Sequence, residues 1–398
     1  MDMTERLYYT DPYAREFNAR VVKSDVVDGR PVVILDRTAF YPASGGQPFD
    51  IGTLGGSHVV DVIDDDRQGI LHVLDAPLHE GESVRGTIDW ERRFDHMQQH
   101  TGQHLLSAAF DRLLDARTES FHLGTASSTI DLARLVTTAE IFRAEAEANR
   151  IVWEDRPVSI RFVDASAAAT LALRKESLRE GTLRLIDIQN YDVSACGGTH
   201  VTHTGAIGMI AVASWEKIRG GSRIEFVCGG RTLDSYRTLR DTMLAAGSAL
   251  STSLADLPVA VVRLQAETKK ANRTVKDLQI RLARYEAQRL ASREPDAREI
   301  VEVLEGWDQN GLKAIASALT SRAACSVLLV SAPSPSNVVV ARSADGRTDA
   351  AAVLRALLER FGGKGGGRPD LAQGGGLQGD PHEIASFARE LLQRQGQR

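Results

Sequence analysis

Three histidines recur at steps of four in the stretch HMQQHTGQHLL, residues 96–106. On a helix that spacing stacks His96, His100 and His104 on one face, and two neighbours among them form a metal half-site because both imidazoles reach one point in space. The bland alternative is the polar face of an amphipathic helix, lined with Asp95, Gln98, Gln99 and Gln103. A second half-site shifts the balance. Cys196 and His200 also stand four apart, in CGGTH, where Gly197 and Gly198 disfavour a helix and favour a tight turn with both side chains on one side. A soft thiolate with imidazoles is a zinc-type ligand set. Two such pairs from distant parts of one chain outweigh either alone.

The frame around them is read from pattern. At 398 residues the chain exceeds one compact core and should hold several domains. With 42% hydrophobic and 25% charged residues it reads as an ordinary globular protein, and it has neither a long apolar run nor a signal-peptide pattern. Cys196, Cys228 and Cys325 are too scattered for a disulfide framework and suit a reducing cytoplasm. A net charge of −5 means that any nucleic acid must be held by a local basic surface.

The pattern predicts an α+β multidomain fold in four parts. Residues 1–88 alternate short β-rich runs with Gly and Asp turns, suggesting a small antiparallel barrel or sheet. Residues 89–230 mix helices (His96–Leu114, Thr138–Asn149, Ala165–Arg179) with strands (Val158–Val163, Leu183–Ile188, Ala206–Ser214, Arg223–Val227). Residues 231–295 are helical. Val261, Leu264, Thr268, Ala271, Val275, Leu278, Leu282 and Tyr285 follow a coiled-coil or helical-hairpin seam that begins at Pro258. Residues 296–398 form an α/β unit in which GGKGGGRPDLAQGGG, residues 362–376, reads as a glycine-rich loop.

HTGQH and CGGTH resemble the HxxxH and CxxxH motifs of the alanyl-tRNA synthetase editing domain, shared by the AlaX family of freestanding editing proteins. FYPASGGQPFDIGTL (40–54), THVTHTGAIG (199–208) and RGGSRIEFVCG (219–229) resemble the family's flanking segments, and the glycine segment resembles its DHHA1-type C-terminal domain. The match runs along essentially the whole chain in the right order, in the long AlaX form. The resemblance to that long form implies an editing protein without the class II activation domain of the synthetases.

The resemblance implies zinc held by His100, His104, Cys196 and His200, with His96 beside the site or at the surface. It also implies hydrolysis in trans of mischarged tRNA-Ala, chiefly seryl and secondarily glycyl, without aminoacylation. Such an enzyme has a physical rationale. A pocket for alanine rejects glycine and serine poorly, so a second hydrolytic sieve is needed. Ser44, Gly45, Gly46 and Gln47 would shape the pocket floor, although Ala43 stands where the family often carries an acid. A hydroxyl among Ser127, Ser128 and Thr129 would read the substrate serine. Lys217, Arg219 and Arg223 would meet phosphates near the acceptor end, with Lys364 and Arg368 at the glycine segment. The expected partner is tRNA-Ala, with a homodimer formed through the connector or the C-terminal domain. Rival readings are a non-catalytic tRNA-binding module with structural zinc and a threonyl-type editing domain. A phosphoesterase lacks its Asp-His-His motif here.

Overall fold

The computed structural model describes residues 4–164, 173–174, 181–293, 297–321 and 325–396. The chain divides into two compact units, Met1–Ala245 and Ala246–Arg398.

In the first unit six strands close into a barrel. They are β1 (Glu16–Val27), β2 (Arg30–Leu35), β3 (Gly52–Leu54), β4 (Ser57–Asp65), β5 (Gly69–Leu74) and β6 (Ser83–Ile88). Their order is β1-β2-β5-β4-β3-β6, with β6 pairing back onto β1. Alternate residues such as Phe17, Ala19 and Val21 point inward and fill the interior with Leu35, Phe40, Val62 and Leu74.

Helix α1 (Trp90–Leu114) leaves the barrel directly after β6. The Asp89 side chain caps it by accepting from the Arg92 N–H at 3.1 Å. It packs with α2 (Thr138–Trp153) against a four-stranded sheet. That sheet runs in the order β12-β13-β8-β7, where β7 is Thr118–Leu123, β8 Ser128–Leu132, β12 Ile210–Ile218 and β13 Gly221–Cys228. A three-stranded antiparallel sheet, β9 (Val158–Asp164), β10 (Thr182–Ile188) and β11 (Asp192–Ala195), lies beside it.

Because α1 is enclosed, its polar residues need protein partners. Gln99 acts as a strand edge, accepting from the Cys228 N–H at 2.8 Å and donating to its carbonyl at 2.9 Å. This close approach explains Gly102: a Cβ there would lie 2.3 Å from Cys228 Sγ. The unit closes with α3 (Gly230–Ala249).

The second unit begins with the long helix α4 (Leu257–Arg293), whose C-terminal part packs Ala283, Ala287 and Leu290 on α5 (Gln309–Thr320). A five-stranded sheet follows in the order β14-β15-β16-β18-β17: β14 Glu299–Glu305, β15 Ser326–Ala332, β16 Ser336–Arg342, β17 Lys364–Gly367 and β18 Leu371–Leu377. Among the described residues of this sheet, only β14 and β15 pair in parallel. Helices α6 (Ala350–Phe361) and α7 (Pro381–Gly396) complete the unit.

Three features differ from the sequence reading. The glycine segment is not a loop: it is the β17–β18 hairpin, held because β18 pairs with the apolar strand β16. The helical connector breaks between Ala249 and Leu257, and the seam residues Val261, Leu264, Val275, Leu278, Leu282 and Tyr285 are exposed. Strand β12 starts at Ile210 because residues 204–207 form a short 3-10 turn. The helix expected over Ala165–Arg179 falls almost wholly outside the described residues. No helix among those described is long and apolar enough to cross a membrane.

Candidate metal centre and active site

His100 and His104 project from successive turns of α1, and Cys196 and His200 come from the glycine turn that follows β11. The four side chains meet with their ligand atoms within 4.8 Å of one another. Cys196 Sγ lies 3.4 Å from His100 Nε2 and 3.3 Å from His200 Nε2. Zinc bonds of about 2.3 Å to sulfur and 2.0 Å to nitrogen, at a tetrahedral angle, separate the two atoms by about 3.5 Å. The donor set and its spacing fit a tetrahedral divalent metal. The three histidines are buried and Cys196 is half-buried.

Two rings are held from behind by hydrogen bonds at Nδ1, and the third faces a carboxylate. His100 Nδ1 lies 2.9 Å from Gln47 Oε1, and Gln47 is itself fixed by accepting from the Thr199 N–H and donating to Thr199 Oγ1. His200 Nδ1 lies 3.1 Å from Thr101 Oγ1, whose own proton goes to the Met97 carbonyl at 2.8 Å. His104 Nδ1 faces Asp192 Oδ2 at 3.6 Å. The Gln47 and Thr101 acceptors place the proton of His100 and His200 on Nδ1 and leave Nε2 as the free donor atom.

The electrostatics agree. Burial opposes ionisation of the Cys196 thiol, but His100 and His200 outweigh it and hold the thiol well below its ordinary pKa. Burial and the His100 ring push His200 far below the usual histidine value. Burial also opposes the Asp192 carboxylate, yet His104 and Arg174 bring it to about 2.

The glycine turn is pinned by Arg184, which donates to the carbonyls of Tyr9, Cys196 and Gly198 at 2.9, 2.7 and 2.9 Å. Gly198 is required because a Cβ there would fall 2.1 Å from His100 Cε1. Ser44 to Gln47 form a tight turn, and Phe121 packs between Gly46 and the His100 ring, 5.6 Å from the latter. Of this segment, Gln47 touches His100 directly and Gly46 lies behind Phe121.

Among the described residues, none of the others singled out from the first unit is hydrogen-bonded to the four ligands, Gln47 apart. Ser128 is fully buried in β8, Ser127 bonds Glu225, and neither Ser128 nor Thr129 hydrogen-bonds any of the four ligands among the described residues. Lys217 and Arg219 are exposed, and Arg223 is paired with Asp131 at 2.7 Å. Lys364 and Arg368 are exposed in the second unit, Arg368 beside Asp370 at 3.2 Å. His96 is not at the surface: it is 3% exposed, outside the four-residue cluster, and burial with help from Arg92 lowers its pKa to about 4. Thr101, Asp192 and Arg184 were not found from sequence. Thr101 sits inside HTGQH, whereas Asp192 and Arg184 carry no spacing signal.

Fold and site together define an α+β protein built around the additional domain of threonyl and alanyl synthetases. Residues 183–225 match the family described as the threonyl and alanyl tRNA synthetase second additional domain. Residues 296–395 match the DHHA1 domain and residues 8–92 the class II (A) tRNA synthetases. The alanine–tRNA ligase of Methanoregula boonei is 34% identical over 98% of this chain, which spans 43% of that ligase. The alanine–tRNA ligase of Pyrococcus abyssi is 35% identical over 93% of this chain and 42% of its own length. The chain thus spans less than half of these ligases. The alanyl-tRNA editing protein AlaX-L of Pyrococcus horikoshii is 32% identical over 98% of both chains. The chain belongs to the AlaX family of alanyl-tRNA editing proteins.

Proposed function

We propose that this protein hydrolyses the aminoacyl ester of mischarged tRNA-Ala, seryl first and glycyl second, without charging tRNA itself. The observation that carries this reading is the preset cluster of His100, His104, Cys196 and His200, in which the His100 and His200 imidazoles are turned by Gln47 and Thr101 so that Nε2 faces the thiol sulfur. These four residues would hold Zn²⁺, which with four protein ligands would lock α1 to the CGGTH turn and would act as a Lewis acid only on a group bound as an additional ligand.

The chain's own residues do the rest. Gln47 locks the His100 tautomer and joins the Ser44–Gln47 turn to the CGGTH turn through Thr199. The backbone at Gly45 and Gly46 offers donors toward the ester carbonyl. An aminoacyl ester is labile enough that a positioned water suffices, so no dedicated general base is required. A serine hydroxyl that finds hydrogen bonds in the pocket is preferred over alanine, which would leave those groups unpaired. Ser128 and Thr129 are the residues proposed to read it.

Labour is divided along the chain: a barrel over 1–88, the editing core over 89–230, a helical connector over 231–295 and a tRNA-binding domain over 296–398. Arg223, Lys217 and Arg219 would lie along the acceptor end, and Lys364 and Arg368 along the tRNA body. The exposed seam of α4 suits pairing with a second copy. The cytoplasm, where tRNA is charged, is the proposed location.

Metal analysis tests the centre. About one zinc per chain is expected, lost in His104→Ala and Cys196→Ala and kept in His96→Ala. Full zinc in Cys196→Ala would refute the ligand set. Removing residues after Ala245 should weaken tRNA binding and flatten its salt dependence by roughly 0.7–0.9 in log–log slope per lost phosphate contact. An unchanged slope would assign the second unit another role.

A further inference from the structure

Two of the three imidazoles are braced by neutral oxygens, those of Gln47 and Thr101. His104 alone faces a charge. Its Nδ1 lies 3.6 Å from Asp192 Oδ2 and has no hydrogen bond among the described residues. Asp192 is 5% exposed and is anchored independently of the histidine. Arg174 Nε donates to Asp192 Oδ1 at 2.9 Å, the Ser194 hydroxyl donates to Oδ2 at 2.8 Å, and Arg174 Nη2 reaches Ser194 Oγ at 3.1 Å. The backbone also contributes, because the Arg174 N–H donates to the Val193 carbonyl at 3.2 Å. A carboxylate carried on β11, four residues before Cys196, is thus held rigidly behind a ligand on α1.

We propose that Asp192, set by Arg174 and Ser194, is a positioning residue for the metal centre that fixes the His104 ring and tautomer and raises that ligand's basicity. Asp192 touches neither substrate nor metal; it acts through His104. Carboxylates placed behind ligating imidazoles do this in general, and their loss weakens metal binding roughly 10- to 100-fold. The inference rests on the reading that the four-residue cluster holds a divalent metal.

The test uses full-length protein, Zn²⁺ affinity by competition with a chromogenic chelator, and the visible spectrum of the Co²⁺-loaded form. Asp192→Asn keeps an oxygen behind the ring but removes the charge, whereas Asp192→Leu removes both. Both variants should bind Zn²⁺ roughly 10- to 100-fold more weakly, Leu at the weaker end. Both should shift the Co²⁺ ligand-field bands, which a purely structural role would leave in place. Ser194→Ala should fall between Asp192→Asn and wild type. Melting of the metal-free proteins reports folding separately, and Asp192→Asn, nearly isosteric, decides the matter if the leucine variant unfolds. Wild-type affinity and an unshifted Co²⁺ spectrum in Asp192→Asn would overturn the proposal. A wild-type protein that binds no stoichiometric metal would overturn the metal reading itself, and the proposal with it.

Discussion

Replacing Arg93 with methionine should cost the first unit a large part of its stability. Arg93 and Asp50 are fully buried, 0% exposed on both sides. Arg93 Nε donates to both Asp50 oxygens at 3.1 and 3.0 Å, Nη1 donates to the Pro12 carbonyl at 2.8 Å, and Nη2 bridges Asp50 and the Ala39 carbonyl. The substitution leaves an unpaired carboxylate where no water reaches it, and breaking a buried pair from one side costs about 3–5 kcal/mol. That is a large share of the roughly 5–15 kcal/mol by which a domain is stable. The pair also braces the site, since Asp50 follows Gln47 by three residues and Arg93 lies two turns before His100 on α1. Urea unfolding followed by tryptophan fluorescence, with Trp90 three residues away, gives the stability change. The double variant Arg93→Met/Asp50→Asn should recover part of the loss, because the buried charge is gone while the Tyr41 N–H keeps an acceptor at position 50. A loss below about 1 kcal/mol in the single variant, or a double variant worse than the single, would refute this account.

Gly198→Ala should empty the metal centre without unfolding the barrel, because the added Cβ would sit 2.4 Å from His100 Nδ1; stoichiometric zinc in that variant would contradict it. Acid should weaken the first unit through His72, whose pKa burial lowers to about 4 against a smaller opposing pull from the Val33 carbonyl. With an unfolded value of about 6.5, its contribution is complete above that pH and is lost as pH falls toward 4, about 3 kcal/mol in all. In His72→Leu the stability-versus-pH curve should flatten over that window, and an unchanged slope would count against the assignment.

The pairing of His100 with His104 and of Cys196 with His200 is legible because each pair is local, two ligands one turn or one tight bend apart. What orients them is not local. Gln47 and Asp192 reach the α1 histidines from a barrel loop and from β11, and no spacing in the chain announces a contact made by tertiary folding. His96 shows the same limit: helical spacing puts it on the ligand face, but only the enclosure of α1 by sheet and barrel makes it buried. The α+β character and the C-terminal DHHA1 unit are readable from periodicity and from the family motifs. The β17–β18 hairpin is not, since glycine's low strand propensity is overridden by pairing with β16. β14, with Glu299, Glu302 and Glu305 interrupting its apolar residues, has no clean alternation and escapes notice until β15 pairs with it.

The central claim is hydrolytic editing of tRNA-Ala, and one comparison of initial rates tests it most directly. Full-length, metal-loaded protein is offered Ser-, Gly- and Ala-charged tRNA-Ala and Ser-charged tRNA-Thr, without ATP. The account predicts fast release of serine from tRNA-Ala, slower release of glycine, little release of alanine and little action on tRNA-Thr, all abolished by Cys196→Ala. Equal release of serine and alanine, or no release from any of the four, would contradict it.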